Sequence, residues 1–373
     1  MNRCESFALN GSCLGWLLLA CVVLAAALAP PAEAAVIAPR NLYEGEVLVD
    51  QQNPPVREAL MREALGQVLV RVTGDRGITK SKAGLELLKL AVRLVQQYDY
   101  DRRPAPPVKG VPPSVPTKEI KVFRARFDSA ALEAQLRQRG LPVWGRERPV
   151  TQVWLGVQEE AARWLLTDRV AAIEAPSLLE TALERGVLLV LPVTAGANEV
   201  QDVLQGATHN LVAAAKATGH RRVLVGRVTQ KGAQWSGQWT LLDNGQVQDK
   251  WQGTAANREE AFAFGIDQLA NAYAARYAVR GGGTASTGMI RLEVTGIENV
   301  EDYARVSKYL ADLSAIEAAN VVEMADKRAV YELRLRGDRV NLQQAIALGN
   351  LLRPADSTAP VFTGAPLHYQ LVK

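Results

Sequence analysis

Chemistry needs side chains that can move protons, hold metals or attack carbonyls, and this chain carries few of them at usable spacing. Its three histidines are His209, His220 and His368. The first two are separated by about 16 Å if one helix joins them, too far for a common metal ion, and His368 is isolated. Cys4, Cys13 and Cys21 are the three cysteines, and all lie within residues 1–34. Removal of that segment would therefore eliminate both thiol catalysis and cysteine-ligated metals. The adjacent acids Glu159-Glu160 and Glu259-Glu260 point in different directions on a helix, so adjacency alone makes no acid–base pair and they read as solvated faces. Zinc-protease, phosphate-loop, dinucleotide and nucleophile-elbow motifs are missing from the sequence. Folding could still gather Trp164, Asp168 and Glu174 into a cleft, and a perturbed carboxyl there would suit glycan or lipid chemistry. No catalytic, cofactor-binding or metal-binding residue is assigned, and no cofactor is expected. Trp235, Trp239 and Trp251 could stack on sugars, but at strand spacing core or cross-strand packing is the stronger reading.

The amino terminus is more informative. Arg3 precedes an apolar run over 14–28, and Ala32-Glu33-Ala34 puts small residues where a signal peptidase reads them. A cleaved signal peptide over 1–34 and a periplasmic location follow as expectations, with an uncleaved membrane anchor as the alternative. Leu18-Leu19-Ala20-Cys21 loosely matches a lipidation box, but apolar Val22-Val23-Leu24 stands where a polar tether should begin. The net charge is +4, and without 1–34 the chain keeps 42 basic and 37 acidic residues, or +5. These charges are scattered, so no nucleic-acid partner is expected; membrane association is compatible with them but not indicated.

The elements that must position any site divide a 373-residue chain into lobes, and multi-domain α/β and α+β architecture is expected. An N-terminal α+β lobe, 35–148, should hold a strand over 42–49 and a helix over 56–69. A second helix is expected over 85–98, a strand through Phe123, Ala125 and Phe127, and a helix over 130–138 capped by Asp128-Ser129. Within it, 102–118 has six prolines and four basic residues and reads as a mobile excursion rather than a docking peptide.

A middle α/β domain, 149–280, should carry a central mixed sheet of parallel βαβ units: a strand over 150–157, a helical region to 175, and a helix over 178–185. Strand 187–191, helix 199–218 and strand 223–228 follow. A hairpin should close the sheet, with a three-residue turn 243–245 setting Leu241 opposite Val247 and Trp251 opposite Gly237. Helix 259–277 should cover it. After a Gly-rich linker over 281–287, the domain 288–373 reads as ferredoxin-like βαββαβ. Its outward Arg291, Arg334 and Arg336 lack the stacking aromatics of an RNA-binding sheet and read as a solvated face or a protein interface.

The stretch 140–157, Gly-Leu-Pro-Val-Trp-Gly-Arg-Glu-Arg-Pro followed by Val-Thr-Gln-Val-Trp-Leu-Gly-Val, closes the first lobe and opens the next. With 43–50, Arg57-Glu58-Ala59-Leu60, 68–76, Gln96-Gln97-Tyr98, Leu189-Val190-Leu191-Pro192, 223–227 and Trp235-Ser236-Gly237-Gln238-Trp239, it resembles the proteobacterial family called domain of unknown function 2066. That resemblance implies an exported envelope protein of unassigned activity and carries over no catalytic residues. In place of an acidic stretch after the Leu-Pro element stands Thr194-Ala195-Gly196-Ala197-Asn198-Glu199, so no metal or phosphate role is given to that loop. Two functions compete: a non-enzymatic protein-interaction or assembly factor with an envelope protein partner, and a cryptic cell-wall glycan- or lipid-binding protein or enzyme. The oligomeric state is not legible.

Overall fold

The computed structural model describes residues 35–49, 55–105, 119–280, 289–355 and 365–372. The expected signal peptide, the run 281–287 and residues 106–118 of the proline-rich stretch lie outside the described residues. Strand β1 (Val36–Ile37) joins the middle sheet, and the first lobe opens with β2 (Glu44–Leu48) and helix α1 (Arg57–Thr73). Leu60, Ala64, Leu65, Val68, Leu69 and Val72 bury one face of α1, the spacing of three and four that the sequence carries. The expected helix over 85–98 is instead α2 (Lys82–Leu88), α3 (Ala91–Leu94) and strand β3 (Val95–Pro104), which pairs antiparallel with β4 (Glu119–Phe127). Val92 is exposed, and Tyr98 and Tyr100 sit at strand spacing beside the Phe123 ring. Cross-strand aromatic packing thus overrides the helical period. The sheet order is β2-β4-β3. Phe123, Ala125 and Phe127 are buried, and Asp128 caps α4 (Ser129–Gln138) by accepting from the Ala131 N–H at 2.9 Å.

After β5 (Pro142–Val143), the middle lobe begins with β6 (Val150–Glu159). The helical region expected next starts later, because the chain turns at Glu160, φ 51°, into a short return strand β7 (Ala162–Leu165). Helices α5 (Asp168–Glu174) and α6 (Pro176–Arg185) lead to β8 (Leu188–Val190). The single helix expected over 199–218 is broken at Gly206, φ 74°, into α7 (Ala197–Gln205) and α8 (Thr208–Ala217). Strands β9 (Arg222–Lys231), β10 (Gln234–Asp243) and β11 (Gln246–Ala255) follow, then α9 (Arg258–Tyr277) and β12 (Val279–Arg280), which pairs with β5. The sheet runs β1-β8-β6-β9-β10-β11, with β6 parallel to both β8 and β9, the predicted βαβ arrangement closed by a hairpin. The hairpin register differs from expectation. Asp243 pairs with Gln246 across a two-residue Asn244-Gly245 turn, and an irregularity between Leu241 and Leu242 then sets Trp239 opposite Trp251.

The third lobe consists of β13 (Ile290–Thr295), α10 (Val300–Asp312), β14 (Ile316–Ala325), β15 (Arg328–Leu335), α11 (Arg339–Leu348), β16 (Leu352–Pro354) and β17 (Leu367–Leu371). The ferredoxin-like βαββαβ order is present with one added strand, β16, and the sheet runs β14-β15-β13-β17-β16. With β16 antiparallel on its outer side, β17 lies parallel to β13.

Each lobe has its own apolar core, and residues 35–373 form one compact unit. The stretch 140–157 reaches all three. Val143 lies in the first core, and Trp144 is fully buried in the middle one, edge-on to Tyr273. Glu147 accepts from the Ser314 N–H at 2.9 Å and from the Ser314 hydroxyl at 2.5 Å in the third lobe. Arg148 is buried and donates to the carbonyls of Gly145, Arg185, Gly186, Arg71 and Trp144 at 2.9–3.2 Å. A rigid junction therefore replaces the flexible hinge that a Gly/Pro turn alone would allow.

Candidate functional site

Folding does bring Trp164 and Glu174 together, through Arg258. The Arg258 guanidinium bonds Glu174 Oε2 at 3.2 Å and Glu159 Oε2 at 3.4 Å, has Glu259 Oε1 at 3.7 Å, and stacks 5.6 Å from the Trp164 ring. One cation thereby ties the β6–β7 hairpin to α5 and α9. Asp168 begins α5, with a buried Oδ1 that has no hydrogen-bond partner among the described residues. The adjacent acids diverge. Glu259 receives the Ser177 hydroxyl at 2.7 Å, whereas Glu260 receives Ala256 N–H and the Asn257 side chain at the start of α9, and Glu160 is the turn residue beyond β6. The cluster consumes its carboxylates in holding elements together, a structural use of charge.

His209 is exposed near the start of α8 and His220 lies beyond its end, while His368 Nδ1 is 3.8 Å from Glu293 in the third lobe. Among the described residues no group of three or more metal-ligating side chains forms. Trp235 and Trp239 are buried in the middle core with Trp251 packed against it. Their faces are therefore occupied by protein. Arg291 pairs with Glu332, Arg334 with Glu317, and Arg336 donates to main-chain carbonyls of Ser314 and Ile316. No helix among the described residues is long and apolar enough to cross a membrane.

A different place is equipped to hold a ligand. The side of β9–β11 opposite α9 is roofed over β6 and β9 by α7 and α8, whose Val203, Leu211 and Ala215 pack on Val223, Val225 and Leu242. Beyond that roof the sheet is open. A groove of about 560 Å³ there is lined by Gln205, Thr208, Arg227, Gln238, Lys250 and Gln252, with Thr240 on its floor. Arg227 donates to the Leu204 carbonyl at 2.7 Å and to the Gln238 amide, and Lys250 Nζ has no partner among the described residues. The groove thus offers amides, hydroxyls and two cations, with no carboxylate in its lining. Along it runs β11, the terminal strand of the sheet, whose residues are mostly exposed and which pairs on one side, with β10. The main-chain groups on the outer side of this ten-residue strand have no strand partner among the described residues, the arrangement that accepts an extended segment of another chain. The sequence held a signal for this edge. Gln-Val-Gln-Asp-Lys-Trp-Gln-Gly-Thr-Ala is too poor in apolar residues for a strand covered on both faces.

Comparison with known proteins adds little chemistry. No curated protein matches the chain. Among solved structures, the LpoB C-terminal domain from Salmonella enterica, a selenomethionine form, aligns at 15% identity over 29% of this chain and 83% of that one, with a TM-score of 0.19. Residues 37–145, the first lobe through Gly145, match the family model described as Domain of unknown function (DUF8605). The resemblance to domain of unknown function 2066 is corrected by that match. Of the residues that carried the resemblance, Leu60, Val68, Leu69, Val72, Val143 and Trp144 hold core positions that packing alone can demand, and the family to which the first lobe is similar is DUF8605.

Proposed function

We propose that this chain is an exported, periplasmic, non-enzymatic protein that works in the cell envelope by docking an extended segment of a protein partner along β11. The observation that carries the reading is the unpaired, solvent-facing β11 beside the groove of Arg227, Gln238, Lys250 and Gln252. An added strand would take affinity from main-chain hydrogen bonds to β11 and specificity from alternate side chains lying over the groove. The junction of the three lobes supports the same reading, since a rigid scaffold lowers the cost of presenting a preformed edge.

In-cell photo-cross-linking tests it. A photoreactive residue at Gln252 or Thr254 should give a discrete protein adduct that a control at Lys308, on the third lobe, does not. That adduct should disappear when a proline is placed at Lys250 or Thr254 in a chain labelled elsewhere on β11, because proline removes a main-chain donor. Protein adducts that are equally strong from Lys308, or that survive the prolines, would sink the docking role. A glycan adduct in their place would move the function to the cell wall.

A further inference from the structure

A second cleft lies on the other side of the junction, between the first lobe and α6. Its volume is about 510 Å³, and it is walled by residues 38–41, the outer positions of β2, Gln67 and Arg71 of α1, Arg103, and Glu180, Leu183 and Glu184 of α6. That volume lies in the range of small-ligand sites. The charges in its wall decide what could enter, because most are already spent. Glu44 pairs with Arg126 at 3.1 Å, Glu46 with Arg103 at 2.8 Å and Glu184 with Arg76 at 3.2 Å. The Gln67 amide closes on the main chain of Glu46 in both directions.

Three groups are left over. Arg71 is 6% exposed, and its Nε and Nη1 donate to the carbonyls of Leu183, Asn41, Leu42 and Glu44, leaving Nη2 with no acceptor among the described residues. Arg40 and Glu180 likewise have no hydrogen bond or ion pair among them. Nη2 is not among the buried atoms left without a partner, so it reaches the cleft, and a guanidinium N–H presented there can donate to an anionic ligand. The Nη2 donor of Arg71, which also feels the charges of Glu46, Glu184 and Glu44, together with unpaired Arg40 and Glu180 in the same cleft, matches a ligand that carries an anion and an ammonium. The same wall holds Leu48, 66% exposed, and Leu183, 39% exposed. Neither leucine is used by a core, so the ligand that fits also has apolar surface to lay on them.

We propose that this cleft binds a short aliphatic peptide with both ends free, its carboxylate on Arg71 Nη2 and Arg40, its ammonium on Glu180, and its side chains over Leu48 and Leu183. The site stands apart from β11 and does not depend on the docking role.

The test is calorimetric titration of the compact unit 35–373 with leucyl-leucine, N-acetyl-leucyl-leucine and leucyl-leucinamide. Leucyl-leucine should bind, and each blocked form should bind at least about tenfold more weakly. Arg71 is a poor first variant because its carbonyl bonds hold the lobes together, so exposed positions carry the test. Glu180→Gln should reduce leucyl-leucine to the affinity of the acetylated form and make acetylation cost nothing further. Arg40→Gln should weaken the free peptide while shrinking the penalty of the amide. No heat with leucyl-leucine up to about 10 mM, equal binding of the blocked forms, or indifference to both substitutions would overturn the proposal.

Discussion

Arg148 occupies a position that few side chains could fill. Its planar fork meets five main-chain carbonyls from the first and middle lobes and lies 3.9 Å from the Trp144 ring. Burial, with Arg71 nearby, pushes its pKa down to about 9, and burial brings Arg71 down to about 10. Both therefore remain charged at neutral pH, solvated by carbonyl dipoles in place of water. Arg185, 1% exposed, extends the same device by bonding Asp267, Asn271 and the Gly74 carbonyl. Arg148→Met should destabilise the protein by about 3 kcal/mol or more, since it strands several buried acceptors whose individual cost is roughly 1–3 kcal/mol. Arg148→Lys should recover little of that loss, because an ammonium keeps the charge but cannot reproduce the fork. Urea unfolding of the two variants against the parent checks both; a lysine variant of parental stability would mean that charge alone, without geometry, holds the junction.

The β10–β11 hairpin shows what local pattern can and cannot specify. Asn244 and Gly245 both have positive φ, 49° and 82°, as a two-residue turn matched to strand twist requires. Gly245→Ala should therefore cost about 1–2 kcal/mol, whereas Asn244→Gly should be close to neutral; thermal unfolding reads the difference, and a neutral alanine would argue against this turn. The existence of the hairpin and the face shared by Trp235, Trp239 and Leu241 were legible in the alternation of residues. Its register was not, because one irregularity between Leu241 and Leu242 shifts every later pair and leaves no mark in hydropathy. The segment 85–98 failed for a related reason. Leu88, Val92 and Val95 repeat at helical spacing, but Tyr98 and Tyr100 find Phe123 across a strand pair that is distant in sequence. Of the Arg258 cluster, Trp164 and Glu174 were legible as candidates but the cation that joins them was not, and the groove at β11 and the cleft at Arg71 were hidden altogether. Each is assembled from segments far apart in the chain, and its chemistry lies in which charges remain unpaired after folding.

Across the whole molecule, tyrosines report on every lobe. Tyr43 belongs to the first core, Tyr273 to the middle one, and Tyr309, Tyr331 and Tyr369 to the third. Burial raises the pKa of all five, with Glu133 adding to the effect at Tyr43 and Glu147 at Tyr309, which is pushed up to about 12. An unfolded tyrosine ionises near 10. Between that value and the higher native ones the unfolded chain binds fewer protons than the folded chain, so stability falls as pH rises. The contribution is present in full below about pH 10 and is lost progressively as pH climbs through the native values. Of the nine tyrosines, Tyr43, Tyr273 and Tyr309 should stay protonated in the native protein at about pH 10.5 and ionise together when the chain unfolds, seen as a step in tyrosinate absorbance that coincides with loss of helical circular dichroism. Because the probes sit in three cores and the lobes share the junction at 140–157, a single step is expected. A separate, earlier step from Tyr309 would mean that the bonds between Glu147 and Ser314 do not couple the third lobe to the other two.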